Sequence, residues 1–205
     1  MIVVLALSAL MMASCASQNL TKDQKMATKS IKKEVRKYEK EGWKVAIGKP
    51  KLELQLKEAY TKGLEVDEKG YEKFITGEAM TVGETYDAAR FQAINLAKLD
   101  LAGKIETEIA ELIDTKLANK QLSQKQAASL AESAAASKNL VSQKLGRVIT
   151  PIDVYRDLPN GNVEVRIMVF YSQDLAMDTF KQTMREDLEQ KADDLSKQLD
   201  KILGF

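Results

Sequence analysis

The sequence predicts an α+β fold in which a small antiparallel sheet carries a long alanine-rich helical hairpin on one face. An N-terminal helical stalk and a C-terminal amphipathic helix are expected beside it. Alanine, lysine, leucine and glutamate are abundant among the 205 residues, which favours helix. Apolar residues recur every four positions over residues 85–118, as on a long amphipathic helix. Alternating apolar residues flank Asn160-Gly161, a pair typical of a β-hairpin turn because both residues accept positive φ.

The N-terminus begins with an apolar run that ends at a cysteine. Residues 1–14 are uncharged and nearly all apolar, a run that suits a signal peptide and is too short to span a bilayer. The run ends in Met12-Ala13-Ser14-Cys15, with two small residues before the only cysteine. We therefore predict a signal peptide over 1–14, cleavage before Cys15 and lipid, palmitate included, on its thiol. Lipidation also accounts for a single cysteine in an exported chain.

Two features of this signal bear on its interpretation. No lysine or arginine precedes Lys22, which leaves open a start further upstream. The alternative for the segment is a buried N-terminal helix or strand with an incidental cysteine, but the polar stretch that follows favours the signal. Ala16 stands where an aspartate retains some lipoproteins on the inner membrane. We therefore expect an outer-membrane protein that faces the periplasm.

Residues 15–42 are predicted to form a tether and a basic helix, with the helix over Thr21–Glu41. Residues 22–44 carry nine Lys or Arg and four Asp or Glu. This surplus suits either the anionic headgroups of a membrane or, as the simpler interpretation, a solvated face on a stalk.

Residues 43–70 are predicted to form a strand–helix segment. Trp43, Val45 and Ile47 alternate with Lys44, Ala46 and Gly48, which indicates a short strand. Pro50 then begins a helix. Its expected apolar side consists of Leu52, Leu56, Ala59 and Tyr60. The lone tryptophan is expected in the core, with a ligand or interface anchor as the alternative.

Residues 71–172 are predicted to form the α+β core. Phe74–Val82 is expected as a strand in which Gly77 indicates a bulge or a close backbone approach. The long helix and a second helix over Ser123–Lys144 form the hairpin, joined near Asn119–Leu122. The stripe of the first helix consists of Ala89, Ala93, Ala97, Leu101, Ile105 and Ile109. Pro151 indicates a bulge or an edge position in the strand that follows.

Residues 173–205 are predicted to form one C-terminal amphipathic helix. Its stripe consists of Phe180, Met184, Leu188, Ala192, Leu195, Leu199 and Ile202, the last five at heptad spacing. The stripe suits either the chain's own core or a helix of an envelope protein partner, and both stay open at this point.

Three stretches in this order resemble a known family. They are the glycine-containing strand Phe74–Val82, the helical run Ala88–Ala102 with alanines at four-residue spacing, and the hairpin region Gly146–Tyr171. Together they resemble the LPP-twenty-like family of bacterial envelope lipoproteins, whose fold is similar to that of the N-terminal domain of the flagellar assembly protein T. The resemblance covers roughly residues 72–172. It implies an envelope-located structural or binding module with no shared catalytic motif.

The residues for most catalytic chemistry are missing from the sequence. Without histidine there is no Ser-His-Asp or Cys-His catalysis, and no GxxxxGK[ST], GxGxxG or EF-hand pattern occurs. We expect no cofactor and no metal. Three carboxylate pairs, Glu106/Glu108, Asp153/Asp157 and Asp193/Asp194, are expected as ordinary solvated charge. Because 31 basic residues nearly cancel 30 acidic ones, we also expect no nucleic-acid partner.

These observations predict a non-enzymatic, lipid-anchored envelope protein with a structural or protein-interaction role. Its expected partners are the membrane, through lipid on Cys15, and an envelope protein, through the C-terminal helix. One alternative is a lipoprotein that binds a small ligand or glycan between the sheet and the segment Trp43–Gly63. Another is a hydrolase that uses carboxylates only.

Overall fold

The computed structural model describes residues 22–191 and 193–203, with side chains from Ala27 onward. This part of the chain has the predicted α+β fold, with six α-helices and a three-stranded antiparallel sheet. The strands are β1 (Phe74–Gly83), β2 (Ile149–Asp157) and β3 (Val163–Ser172). The helices are α1 (Lys22–Lys40), α2 (Leu52–Gly63), α3 (Tyr86–Ala118), α4 (Gln124–Lys144), α5 (Gln173–Gln190) and α6 (Leu199–Leu203). In the described ranges, every helix is too short or too polar to cross a membrane.

The sheet has the order β1-β3-β2, so β3 is central and both other strands are edges. The β2–β3 hairpin is confirmed, and its turn contains Gly161 at φ +85°, whereas Asn160 keeps a negative φ. The pairing of β2 with β3 shifts between Ile149 and Ile152, which confirms the irregularity predicted at Pro151. β1 pairs with β3 without a shift from Phe74 to Gly83, so Gly77 forms no bulge.

Side chains and loops cover both edges of the sheet. On β1, the amide N–H of Glu78 donates to Asp100 Oδ2 (3.0 Å), and Lys104 Nζ donates to the Thr76 carbonyl (2.7 Å). On β2, the backbone of Lys44 exchanges hydrogen bonds with that of Tyr155, and the N–H of Asp153 donates to Gln55 Oε1. Such covers occupy backbone groups that would otherwise be open to pairing with another chain.

The main core lies between the sheet and the helices α3, α4 and α5. The predicted stripe of α3, from Ala89 to Ile109, is buried against β1 and β3. The hairpin has the expected bounds, because Thr85 caps α3 and Ser123 caps α4 in a capping box with Gln126. Leu130, Ala134 and Val141 of α4 complete the core from the far side of α3.

The opposite face of the sheet is covered as well, although we expected helices on one face only. Tyr38, Trp43, Leu52 and Leu56 form a second apolar cluster with Ile152 and Val154 of β2. Helix α1 is therefore not a free stalk. Ile31 and Val35 pack against this cluster, and their spacing with Tyr38 places the three residues on one side of the helix.

The segment between α1 and α2 differs from the predicted strand. Trp43 is buried in the second cluster, as favoured. Only Lys44 forms an isolated bridge, to Tyr155, and Ile47 is fully exposed in a turn that precedes Gly48 at φ +84°. Tyr60 is half-exposed rather than on the buried side of α2. The pattern failed here because a run of three alternating apolar residues is too short to distinguish a strand from a turn, and Gly48 at positive φ turns the chain.

The C-terminal segment is not one helix. Helix α5 ends at Gln190, and a 3₁₀ helix (Asp194–Lys197), capped by the Asp193 side chain, leads into α6. Six residues of the predicted stripe, Phe180, Met184, Leu188, Leu195, Leu199 and Ile202, are nevertheless buried in the main core. The seventh, Ala192, lies outside the described residues. The chain's own core is thus what this stripe packs on, and the break lets it turn back onto α3 and α5.

Candidate functional site

The predicted lipid attachment residue lies outside the described residues, as does the signal peptide predicted over 1–14. The first element that the structure describes, α1, begins seven residues after Cys15 in the chain. Seven residues reach at most about 25 Å when extended. The N-terminal end of α1 is therefore the part of the described structure that an anchor at Cys15 would hold near a membrane.

Helix α1 presents a basic surface on the side turned away from the domain. We call it the basic face; it consists of Lys29, Lys32, Lys33, Arg36, Lys37 and Lys40. All six residues are exposed. They recur at three- and four-residue spacing, which keeps them near one another on the helix surface. The inward side carries Ile31, Val35 and the buried Tyr38, so the domain fixes which way the charges point.

The charges of the basic face are not neutralised by the domain. In the described structure, fourteen ion pairs join other basic and acidic side chains, and none includes a residue of the basic face. Residues 22–44 have a net charge of +5, from nine basic and four acidic residues. Since the whole chain is +1, the remainder is −4. Charge is thus segregated along the chain although the total is close to zero.

A second polar feature is a buried carboxylate on the edge strand β2. Asp153 is 2% exposed and accepts hydrogen bonds from Tyr86 Oη (2.6 Å) and Arg90 Nε (2.7 Å). Lys49 Nζ lies 3.0 Å from the same oxygen as Arg90. Gln55, itself buried, accepts from the Asp153 N–H through Oε1 and donates from Nε2 to the Pro50 carbonyl, so it links the strand to the turn before α2. We refer to Asp153, Tyr86, Arg90 and Lys49 as the Asp153 cluster.

The surroundings of Asp153 keep it ionised. Burial by itself raises the pKa of the carboxyl, but the hydrogen bonds from Tyr86, Arg90 and Lys49 and the charge of Arg90 outweigh burial and lower it. Burial and the hydrogen bond to Asp153 raise the pKa of the Tyr86 hydroxyl. A carboxylate of low pKa that already accepts from three donors is a poor general base. The geometry suits a structural role, in which the Asp153 cluster holds α3 and the turn before α2 against the edge of the sheet.

No protein family, curated protein or solved structure was found to match this chain. The resemblance to the LPP-twenty-like lipoproteins therefore stays a prediction. The three stretches that carry the resemblance are neighbours in the fold. They correspond to β1, the first half of α3 and the β2–β3 hairpin.

The other predicted carboxylates lie apart and are occupied locally. Glu106 pairs with Lys138, and Asp157 pairs with Lys44. Glu108 is exposed, partial desolvation raises the pKa of its carboxyl, and it accepts a hydrogen bond from Gln173. Asp193 accepts from Ser129 and caps the 3₁₀ helix. Asp194 is exposed. The expectation of ordinary solvated charge is therefore wrong for Asp153, and the described residues contain no carboxylate or cysteine group suited to a metal ion.

The space proposed for a small ligand, between the sheet and the segment Trp43–Gly63, is filled by side chains. Trp43, Leu52 and Leu56 pack there directly on β2. A shallow groove of about 330 Å³ does occur nearby, between α1 and α2. Its lining is mixed and includes Ile31, Lys57 and Tyr60.

Sequence reasoning missed the Asp153 cluster, although part of its signal was present. Tyr86 and Arg90 are four residues apart, on the side of α3 that carries the buried Ala89 and Ala93. Polar side chains that lie at the buried side of a helix need hydrogen-bonding partners. Tyr86 and Arg90, beside an alanine stripe that faces a sheet, therefore indicate a buried acceptor. Which carboxylate supplies it depends on the strand register, which the sequence alone does not reveal.

Proposed function

We propose that this protein is a lipid-anchored bacterial envelope lipoprotein with a non-enzymatic, structural or protein-interaction role. The observation that carries the proposal is the sequence Met12-Ala13-Ser14-Cys15 after an uncharged apolar run. The position of the first described helix agrees with it, because a short tether would place a folded domain directly at the membrane surface. The cleaved and lipidated chain would extend into the periplasm from the outer membrane.

A non-enzymatic role is supported by the chemistry of the buried carboxylate on β2. Asp153 is held by three donors and connects α3 and the turn before α2 to the sheet, and the chain contains no histidine. The apolar stripe of the C-terminal segment is buried, so a partner protein would have to bind other surfaces. Exposed apolar side chains on α3 and α4, such as Phe91, Leu96 and Leu140, are positions for such contacts.

The test of the anchor compares wild type with Cys15→Ala in a bacterial host, with Ser17→Ala as the matched control. We expect wild type and Ser17→Ala to fractionate with membranes and to show the mass of the cleaved, lipidated chain. Cys15→Ala should keep residues 1–14 and carry no lipid. Unmodified, uncleaved wild type would refute the proposal.

The proposed sorting to the outer membrane has its own test. Ala16→Asp places an aspartate directly after the lipidated cysteine, and we expect it to move the protein from the outer to the inner membrane fraction. Ala16→Ser is the matched control and should leave the distribution unchanged. Wild type found in the inner membrane would overturn the sorting while leaving the anchor intact. In-cell crosslinking at Phe91 or Leu140 would then identify an envelope partner.

A further inference from the structure

We infer that the basic face of α1 is a docking surface for the anionic headgroups of a membrane, which it binds by charge without insertion. Its position beside a membrane rests on the proposed anchor at Cys15. The affinity itself does not, since it follows from the side chains that α1 exposes. The inference therefore adds a second contact with the bilayer, and this contact would set the orientation of the domain.

The packing of α1 determines the mode of binding. An amphipathic helix that lies in a membrane interface buries its apolar side among the acyl chains. In α1 that side is already occupied, because Ile31, Val35 and Tyr38 pack against α2 and the sheet. Among the side chains of α1 that the structure describes, the basic face is what remains for contact. The interaction should therefore depend on the charge of the lipid and weaken steeply with salt.

Charge complementarity favours a membrane over other polyanions. The basic face has six exposed cationic side chains without an ion pair in the described structure, with Glu34 and Glu39 as the acidic residues among them. The remaining chain is net −4, so a flat anionic surface attracts α1 and repels the rest. That asymmetry selects one orientation on a plane. Nucleic acid requires a groove-sized or extended basic surface, and the acidic remainder of this chain opposes it.

The size of the effect follows from the number of charges. Each basic residue close to an anionic leaflet strengthens binding by about fivefold at moderate ionic strength. Removing four of the six should therefore weaken binding well over tenfold. The helix itself should stay folded, because glutamine has a helix propensity similar to that of lysine, and the inward residues are untouched.

The experiment measures co-sedimentation of the full chain with vesicles. All proteins carry Cys15→Ala, so that no acyl chain contributes, and the probes are phosphatidylcholine vesicles with and without phosphatidylglycerol. Binding to the neutral vesicles gives the baseline that residues 1–14 contribute. The test variant combines Lys29→Gln, Lys33→Gln, Arg36→Gln and Lys40→Gln. The matched control combines Lys69→Gln, Lys120→Gln, Lys125→Gln and Lys201→Gln, four exposed positions outside α1. Thermal unfolding checks that both variants are folded.

We expect the Cys15→Ala parent and the control variant to bind anionic vesicles more than tenfold tighter than neutral ones. The test variant should lose that difference, and 0.5 M salt should abolish it for all. Equal losses in both variants would overturn the inference, since net charge alone would then explain binding. A preference for anionic over neutral vesicles that survives 0.5 M salt, or equal affinity for an unrelated DNA duplex, would overturn it too. Because Cys15 is absent throughout, failure here leaves the proposed anchor untouched, and failure of the anchor leaves this result standing.

Discussion

A Cβ atom on Gly77 would lie 2.0 Å from the carbonyl oxygen of Ala97. Strand β1 and helix α3 therefore meet backbone to backbone at this point. Thr81 extends the contact, since its hydroxyl donates to the Ala89 carbonyl at 2.7 Å. The alanines at four-residue spacing and the glycine in the strand both permit this close contact, because each removes side-chain volume from the interface between β1 and α3.

Replacing Gly77 with alanine should destabilise the fold. Backbone atoms cannot move aside as the end of a flexible side chain can, so we expect a loss of about 3 kcal/mol in the free energy of unfolding. Gly103→Ala is the matched control, because its Cβ would meet only the end of Lys138 at 3.2 Å. Because Gly103 lies in the interior of α3, where alanine has the higher helix propensity, Gly103→Ala should leave the free energy of unfolding unchanged or raise it by up to about 1 kcal/mol. Urea denaturation measures both, and a neutral Gly77→Ala would contradict the close approach.

Elements whose sequence signal is local could be predicted. The hairpin of α3 and α4 has the expected bounds because Thr85 and Ser123 cap the helices through bonds within four residues. The β2–β3 hairpin follows from Gly161 and the alternation on either side. The close approach at Gly77 was one of two expected explanations for a glycine in a strand, and the structure selects it.

Features that depend on distant pairing could not be predicted. Asp153 is separated from Arg90 by 63 residues and from Gln55 by 98, so only the folded topology unites them. The cover on the second face of the sheet depends on how α2 crosses β2. In the C-terminal segment, the heptad spacing of apolar residues continues past the end of α5 at Gln190, so the sequence pattern does not reveal where the helix ends. The basic face was visible in the sequence, but its outward direction depends on the packing of Tyr38.

The Asp153 cluster should be important for stability. In Asp153→Asn the neutral amide loses the charged hydrogen bonds to Arg90 and Lys49, both of which are partly exposed, so we expect a loss of about 2 kcal/mol in the free energy of unfolding. Asp157→Asn is the control on the same strand; its partner Lys44 is exposed, and the loss should stay below about 1 kcal/mol. A double-mutant cycle with Arg90→Gln should show coupling between Arg90 and Asp153. Equal effects of the two asparagine variants would argue against a special role for the buried carboxylate.

The same cluster should make stability depend on pH in the acid range. The pKa of Asp153 is lowered in the folded protein, so its contribution is complete above its unfolded pKa, near 4. The contribution is lost as pH falls from about 4 through the folded pKa, because the unfolded chain takes up the proton first. The stability difference between wild type and Asp153→Asn should therefore be larger at pH 6 than at pH 3. Other acids with lowered pKa, such as Glu186 and Asp193, are common to both proteins and cancel. A difference that grows on acidification would contradict the sign.

The C-terminal segment should behave as part of the domain and not as a free docking helix. Phe180 is completely buried among residues of the main core, whereas Leu175, on the same helix, is 57% exposed. Phe180→Ala should cost about 4 kcal/mol, because it leaves a cavity that the packed helices cannot close. Leu175→Ala should cost less than about 1 kcal/mol and leave the slope of urea unfolding unchanged. If the segment instead served to bind a partner helix, the isolated chain would tolerate both substitutions alike, and Phe180→Ala would weaken only the complex. Measuring the free energy of unfolding of both variants on the isolated chain therefore distinguishes a helix that completes the core from one whose apolar side is reserved for a partner.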